Sequence, residues 1–197
     1  MKPRWKLIVI GVLVVLIVAT MAGVALAGRG PGGEPTGTTT ARTASVTPLS
    51  AEEAAELAYM REEEKLARDV YLVLYEKWEV SEFENIAASE SRHMVSVKRL
   101  LDRYGLADPV GADVPGVFLN VDLQATYDSL VTQGLRSLDD AFEVGVAIEE
   151  LDIADLEELI AISTHRDVTK VAENLLRGSE NHLRAFVRTY ESLTGKT

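Results

Sequence analysis

Glu90 and His93 are the residues of this chain whose types and spacing point most directly to chemistry. A carboxylate and an imidazole three residues apart lie on one face of a helix, so both can reach the same metal ion. The pair alone is a weak signal because it is common by chance. At about 100° per residue, however, Glu90 falls near the middle of an apolar helical stripe and His93 at its edge. An ionised group in that position is costly unless it is paired or bound to metal.

The acidic triplet at residues 62–64 supplies the next candidate ligands. On the helical wheel of its segment, Glu63 lies near the middle of the apolar face and Glu64 at one edge. Glu62 falls outside that face, and we expect it in solvent. This segment therefore offers Glu63 as its main inward carboxylate, with Glu64 as a secondary candidate.

Two later segments complete the candidate set. Glu149 and Asp152 lie three residues apart on the apolar face of one helical segment, and His182 lies on the apolar face of the last. One inward polar group on each of four helices favours a metal site over isolated buried residues. The predicted ligands are Glu63, Glu90, His93, Glu149 and His182, with Glu64 and Asp152 as secondary candidates.

The amino-acid composition limits which metals the chain could bind and excludes several functional classes. The 197 residues include no cysteine and three histidines, so any site is rich in carboxylates and suits iron or manganese better than soft metals. The formal net charge is −11, and residues 1–43 nevertheless hold five basic side chains and one acidic one. The acidic remainder is a poor nucleic-acid binder. No nucleophile–base pair that would indicate hydrolysis is evident.

The amino-terminal part predicts a membrane or export signal. Residues 7–27 are apolar and uncharged, long enough to cross a bilayer, and follow a basic head. They predict a single-pass anchor in the cell membrane with the domain outside the cytoplasm, or a signal peptide cleaved after Ala27. Small residues spaced four apart in this segment would allow two such helices to pack together, so a homo-oligomer is a further expectation. Residues 28–49, rich in Gly, Thr and Pro, predict a disordered linker.

Residues 50–193 show helical periodicity and no strand pattern. Ser50 and Ser81 each begin a sequence typical of a capping box, and Asn120 and Ser137 are predicted caps. Thr164 or Asp167 is expected to open the last helix. The result is an all-α fold: a four-helix bundle with an extra short helix between the second and third main helices.

Four motifs carry a resemblance to a known family. They are YMREEEKLARDVY at 59–71, IAASESRHM at 86–94, IEELDIADL at 148–156 and NLLRGSENHLRAF at 174–186. Together they resemble the bacterial and archaeal ferritin-like proteins of domain-of-unknown-function family 2202. The resemblance implies a ferritin-like bundle whose positions corresponding to the predicted ligands bind two iron or manganese ions. Ser179 departs from it, because ferritin-like proteins usually have Glu there, and Asp152 is the candidate replacement; with one carboxylate fewer, the expected site holds one or two ions.

Two functions follow as alternatives. The first is an exported metalloprotein with iron or manganese in the bundle core; if it is an enzyme, it is an oxidoreductase, and Tyr59 or Tyr71 lies near the site. The second is a non-catalytic bundle that binds a partner or small ligand without metal. In the second case the inward carboxylates pair with Arg68, Arg92 or His182.

Overall fold

The computed structural model describes residues 47–195, and all regular structure in that range is α-helical. The predicted all-α architecture is therefore confirmed, with a short α3 between two pairs of long helices. The five helices are α1 Ala51–Trp78, α2 Ser81–Tyr104, α3 Val121–Gly134, α4 Leu138–Ile162 and α5 Arg166–Thr194.

Local capping explains where several helices begin. At α1, Ser50 accepts a hydrogen bond from the Glu53 backbone N–H at 3.0 Å, and the Glu53 carboxylate accepts one from the Ser50 backbone N–H at 2.9 Å. This reciprocal capping box satisfies two of the free donors at the helix start. Asn120 and Ser137 cap α3 and α4 as predicted.

Two predicted helix starts are wrong. Ser81 is the first residue of α2 rather than its cap, and the cap position is Val80, which makes no side-chain hydrogen bond. α5 begins at Arg166 with His165 at the cap position, rather than after Thr164 or Asp167. In the first case an apolar residue precedes the helix, so sequence-based capping rules give the wrong register.

The long helices form a bundle of two hairpins. α1 packs along α2 and α4 packs along α5, while α1 also contacts α4 and α2 contacts α5. α3 lies against both α1 and α4. As a result α1 has neighbours on three sides, and all five residues from Arg61 to Lys65 are buried.

The predicted anchor or signal peptide at 1–27 and most of the linker at 28–49 lie outside the described residues. Among residues 47–195, none of the helices combines the length and apolar character needed to cross a membrane.

Candidate metal centre

The predicted ligands lie in a polar layer of the bundle, between two apolar clusters. In α1, for example, Met60 belongs to one cluster and Leu66 to the other, and the acidic triplet lies between them. α2 repeats this arrangement: Ile86 and Val97 belong to different clusters and Glu90 lies between them. In all four long helices the polar side chains lie between the two clusters, which brings them to one level of the bundle.

The first half of the layer consists of Glu64, Glu90 and His93. Nδ1 of His93 lies 2.7 Å from Oε2 of Glu90 and 3.2 Å from Oε2 of Glu64. One potential ligand atom from each of the three residues lies within 4.8 Å of the others. Glu64 and Glu90 are each 1 % exposed and His93 is 9 % exposed, so both carboxylates of this group are buried and only the imidazole reaches solvent.

The second half consists of Glu90, Glu149 and His182, whose ligand atoms also lie within 4.8 Å of one another. Nδ1 of His182 is 2.7 Å from Oε1 of Glu90 and 3.5 Å from Oε2 of Glu149. Tyr71 donates a hydrogen bond of 2.7 Å to Oε1 of Glu149 and so orients that carboxylate. Glu90 therefore belongs to both groups and presents one oxygen to each histidine.

The two imidazole rings stack, with centroids 5.4 Å apart and planes inclined by 28°. Gly178 provides the room for His93: a Cβ at that position would lie 2.6 Å from Nε2 of the ring. Sequence reasoning did not single out Gly178. The sequence nevertheless contained a signal for it. Gly178 stands in the middle of a predicted helix, one turn before His182, and glycine is unfavourable at such a position unless close packing requires it.

Several buried atoms in the layer have no hydrogen-bond partner. Within residues 47–195, this holds for Oε1 of Glu64, Oδ1 of Asp152, Oε1 of Glu90 and Nδ1 of His182. The last two lie 2.7 Å apart, yet their orientation is not that of a hydrogen bond. Buried polar groups are normally paired, and a buried carboxylate oxygen without a hydrogen-bond donor is an atom that a bound cation would satisfy.

The histidines and Glu90 stabilise each other's charged forms. Burial opposes the charge on Glu90, but its contacts with His182 and His93 outweigh burial and hold its pKa at about 2. Burial likewise lowers the pKa of both imidazoles, but Glu64 and Glu90 raise that of His93 to about 11. Glu149 and Glu90 raise the pKa of His182 to about 9. Without metal, Glu90 is an anion between two cationic rings.

The remaining carboxyl groups of the layer are driven towards protonation. Burial, with the charge of Asp152, raises the pKa of Glu64 well above its usual range. Burial raises the pKa of Glu149 to about 7, with the charge of Glu90 adding to it. Burial and the charges of Glu149 and Glu90 raise that of Asp152 to about 8. A bound cation would favour their ionised forms and displace these protons.

Asp152 and Ser179 form a contact that links α4 to α5. The Ser179 hydroxyl donates a hydrogen bond to Oδ2 of Asp152 and lies 3.1 Å from the Leu175 carbonyl oxygen. Both side chains are buried, Ser179 at 0 % and Asp152 at 4 % exposure. Ser179 thus holds Asp152 at the edge of the layer, and Asp152 belongs to neither three-residue group.

The acidic triplet of α1 is placed differently from the helical-wheel expectation. Glu64 contacts His93, whereas Glu63 is buried outside both three-residue groups and faces Asp155. Glu62, expected in solvent, is 4 % exposed, so that expectation is wrong. Its carboxylate accepts hydrogen bonds from the backbone N–H groups of Leu119 and Asn120, because the loop before α3 covers this side of α1.

The arginines proposed as internal partners lie elsewhere. Arg68 pairs with Asp69 and Asp113, and Arg92 is exposed. Of the three basic partners considered, only His182 contacts the predicted ligands. Tyr71, expected near the site, contacts it through Glu149, while Tyr59 lies near Glu63.

Comparisons with known proteins support the family suggested by the motifs. Residues 53–196 match an uncharacterised protein domain designated DUF2202. The chain is 54 % identical over 141 residues to an uncharacterised protein, MJ0754, of Methanocaldococcus jannaschii, covering 72 % of this chain and 76 % of the relative. It also resembles the crystal structure of hypothetical protein MJ0754 from Methanococcus jannaschii, with a TM-score of 0.74 and 50 % identity, covering 77 % and 86 % of the two chains. The chain belongs to the DUF2202 family of uncharacterised protein domains.

Proposed function

We propose that the bundle is a ferritin-like metalloprotein domain that binds iron or manganese in its core. The observation that carries the proposal is the shared position of Glu90 between two carboxylate–histidine groups. Glu64, Glu90 and His93 would hold one ion, and Glu90, Glu149 and His182 a second. Oxygen and imidazole ligands without sulfur suit both metals.

The unpartnered atoms support metal binding over internal pairing. A bundle without metal would satisfy its buried polar groups through hydrogen bonds, and the contacts of Glu90 with both histidines do this in part. They leave Oε1 of Glu64 without a partner. Binding of a cation would satisfy this oxygen, displace the protons of the imidazoles and offset the repulsion among the carboxylates.

The residues around the ligands have defined tasks. Tyr71 donates to Glu149 and fixes one carboxylate oxygen, leaving Oε2 towards His182. The two apolar clusters exclude water from both ends of the layer. Bound iron or manganese would supply redox chemistry with dioxygen, peroxide or Fe(II). Oxidoreductase activity is the enzymatic form of this proposal.

Metal analysis combined with melting curves tests the proposal. The purified domain, residues 44–197, should contain iron or manganese, and removal of the metal should lower its Tm. Binding at one hundred times Kd stabilises the folded state by about 2.7 kcal/mol, which corresponds to roughly 5–10 °C for a domain of this size. Glu90→Gln combined with His93→Ala should abolish the difference. An equal Tm with Fe(II), with Mn(II) and with chelator would exclude the metal centre.

We also propose that the domain functions outside the cytoplasm, held to the cell membrane by residues 7–27 or released by cleavage after Ala27. The support is the basic head followed by an uncharged apolar run. A reporter fused after Thr197 should be active only outside the cytoplasm. Activity of a reporter that requires the cytoplasm would contradict this location.

A further inference from the structure

An exposed apolar surface lies at the end of the loop between α2 and α3 and on the first residue of α3. Val114, Val117, Leu119 and Val121 form this loop patch and are 52 %, 57 %, 75 % and 78 % exposed. Leu119 and Val121 are the most exposed large apolar side chains within residues 47–195. Single exposed aliphatic side chains are common on proteins, whereas four of them on one short stretch mark an interaction surface.

Buried side chains of α1 hold the loop in place beneath the patch. The Asp69 carboxylate accepts a hydrogen bond of 2.9 Å from the Gly116 backbone N–H, and Glu62 accepts one of 2.5 Å from the Leu119 backbone N–H. Phe118 points inward and is 8 % exposed, while its neighbours on both sides point outward. The patch is therefore displayed by a fixed backbone, which loses little freedom when the surface is covered.

The loop patch is almost free of charge, although the chain as a whole has a formal net charge of −11. Residues 109–121 contain one charged side chain, Asp113, and Nη1 of Arg68 pairs with it at 2.8 Å. An acidic surface is repelled by anionic lipid headgroups, and this stretch avoids that repulsion. It also has no basic side chain that would attract a negatively charged partner. Burial of apolar surface is thus the attraction that the patch offers.

The size of the patch determines which occupant it fits. Burial of four aliphatic side chains that are already partly covered gives a dissociation constant of about 1 mM. A freely diffusing partner would rarely occupy so weak a site. A short flexible linker, however, supplies an effective concentration of about 1 mM at the surface to which it is attached. The predicted linker at 28–49 joins the domain to the apolar run at 7–27, which is expected to lie in the bilayer.

We propose that the loop patch docks on the surface of the lipid bilayer in which residues 7–27 are anchored. This inference rests on the proposed membrane location of the domain and is independent of the metal centre. Because hydrophobic burial drives the contact, it requires no anionic lipid and is insensitive to salt. The weak patch and the linker act together, since neither would hold the domain against the bilayer alone.

Quenching by lipid tests the contact. The chain has no cysteine, so a single one can carry a fluorophore. Full-length Leu119→Cys, labelled at that cysteine, is reconstituted into phosphatidylcholine vesicles with or without brominated acyl chains, which quench fluorophores that touch them. Brominated lipid should reduce the emission, and high salt should not restore it. Val117→Asp in the labelled protein should abolish the quenching, because a charged group is costly in the bilayer.

Val187→Cys is the matched control for the probe. Val187 is an aliphatic residue of α5 that is 42 % exposed and lies outside the loop patch. A fluorophore at residue 187 should emit equally in both kinds of vesicle. Melting curves followed by circular dichroism show that each labelled variant is folded before its emission is compared.

The outcomes separate docking from anchoring. Equal emission at residue 119 in both kinds of vesicle, with the protein bound to them, would overturn docking and leave the anchor intact. Equal quenching at residues 119 and 187 would overturn the role of the loop patch. Shielding of residue 119 from aqueous iodide that rises with the protein-to-lipid ratio, without quenching by brominated lipid, would assign the patch to a second copy of the chain. Full-length parent protein that separates from the vesicles on flotation would overturn the anchor and the docking together.

Discussion

Gly178 of α5 lies directly against the imidazole of His93 on α2. A Cβ on Gly178 would come within 2.6 Å of Nε2 and 2.7 Å of Cε1, closer than non-bonded atoms approach. The absence of a side chain on one helix therefore determines where a candidate ligand of another helix can lie. This relationship provides a test of the centre that leaves every proposed ligand unchanged.

We predict that Gly178→Ala weakens metal binding without changing any proposed ligand. The added methyl group must displace His93, so the metal-induced rise in Tm should shrink. Metal-free stability should also fall, because moving His93 weakens its contacts with Glu64 and Glu90, and the preference of a helix for alanine over glycine, about 1 kcal/mol, offsets only part of that loss. Melting curves with and without Mn(II) measure both quantities. A full metal-induced rise in the variant would show that His93 is not required in its observed position.

The hydrogen bond from Tyr71 to Glu149 gives a second prediction. Tyr71 is fully buried, and its hydroxyl orients a ligand rather than contacting the proposed ions. Loss of such an outer partner typically lowers metal affinity by about 10–100-fold. Tyr71→Phe should therefore weaken Mn(II) binding in equilibrium titrations by an amount in that range.

Tyr75→Phe is the matched control for Tyr71→Phe. Tyr75 lies one turn further along α1, and its carboxylate neighbour is Glu84 rather than Glu149. The Tyr75→Phe substitution removes the same kind of hydroxyl group from the same helix but affects no hydrogen bond to a proposed ligand. Equal Mn(II) affinities for both variants and the parent would contradict the orienting role of Tyr71.

Much of the fold could be predicted from the sequence because the signals are local. The Ser50 and Glu53 capping box, the Asn120 cap and the alternation of helical periodicity with Gly and Pro depend on neighbouring residues only. These features gave the number, order and approximate bounds of the five helices. Val80 before α2 shows the limit, since tertiary packing can start a helix without a capping side chain.

The roles of residues 62–64 could not be assigned from the sequence, because they depend on which neighbouring helices pack against each residue. A helical wheel assumes one buried face, whereas α1 is covered by α2, α3 and α4. All three glutamates are consequently buried, and each has a different environment. Glu62 holds the loop before α3, Glu63 faces Asp155, and Glu64 contacts His93. Only the arrangement of the neighbouring helices distinguishes these positions.

The contrast between Glu63 and Glu64 yields a third prediction. Glu64→Gln should lower the equilibrium affinity for Mn(II), because Glu64 lies in a ligand group with Glu90 and His93. Glu63→Gln should leave that affinity unchanged, since Glu63 lies outside both groups. The two variants replace the same carboxyl group by an amide at adjacent residues, so each controls for the other in isothermal titrations. The reverse order of affinities would assign the α1 ligand to Glu63.

The final prediction concerns Glu53, which joins the start of α1 to the turn between α4 and α5. Its Oε1 accepts a hydrogen bond of 2.8 Å from the Thr164 backbone N–H and lies 2.9 Å from Nδ1 of His165. Burial opposes ionisation of Glu53, but hydrogen bonds from His165, Ser50, Thr164 and Ser163 outweigh it and lower its pKa to about 2. Glu53→Gln should therefore destabilise the protein by about 2 kcal/mol at pH 6, since hydrogen bonds to a charged group are lost.

The pH dependence of that loss follows from the direction of the shift. A carboxyl group whose pKa is lower in the folded state stabilises the fold above its unfolded pKa, about 4.3, and this contribution disappears as the pH falls towards 2. The difference in unfolding free energy between parent and Glu53→Gln should thus be largest near pH 5 and shrink below pH 4. It should also shrink above about pH 6.5, because the contact with Glu53 raises the pKa of His165 and this contribution is lost as the imidazole loses its proton. Urea unfolding at a series of pH values measures this difference.

The Glu53 contacts lie at the turn between α4 and α5, apart from the two ligand groups, so metal affinity at pH 6 should be unaffected. A difference that stays constant down to pH 2.5 would show that the carboxylate charge contributes nothing, and that packing alone joins the two segments.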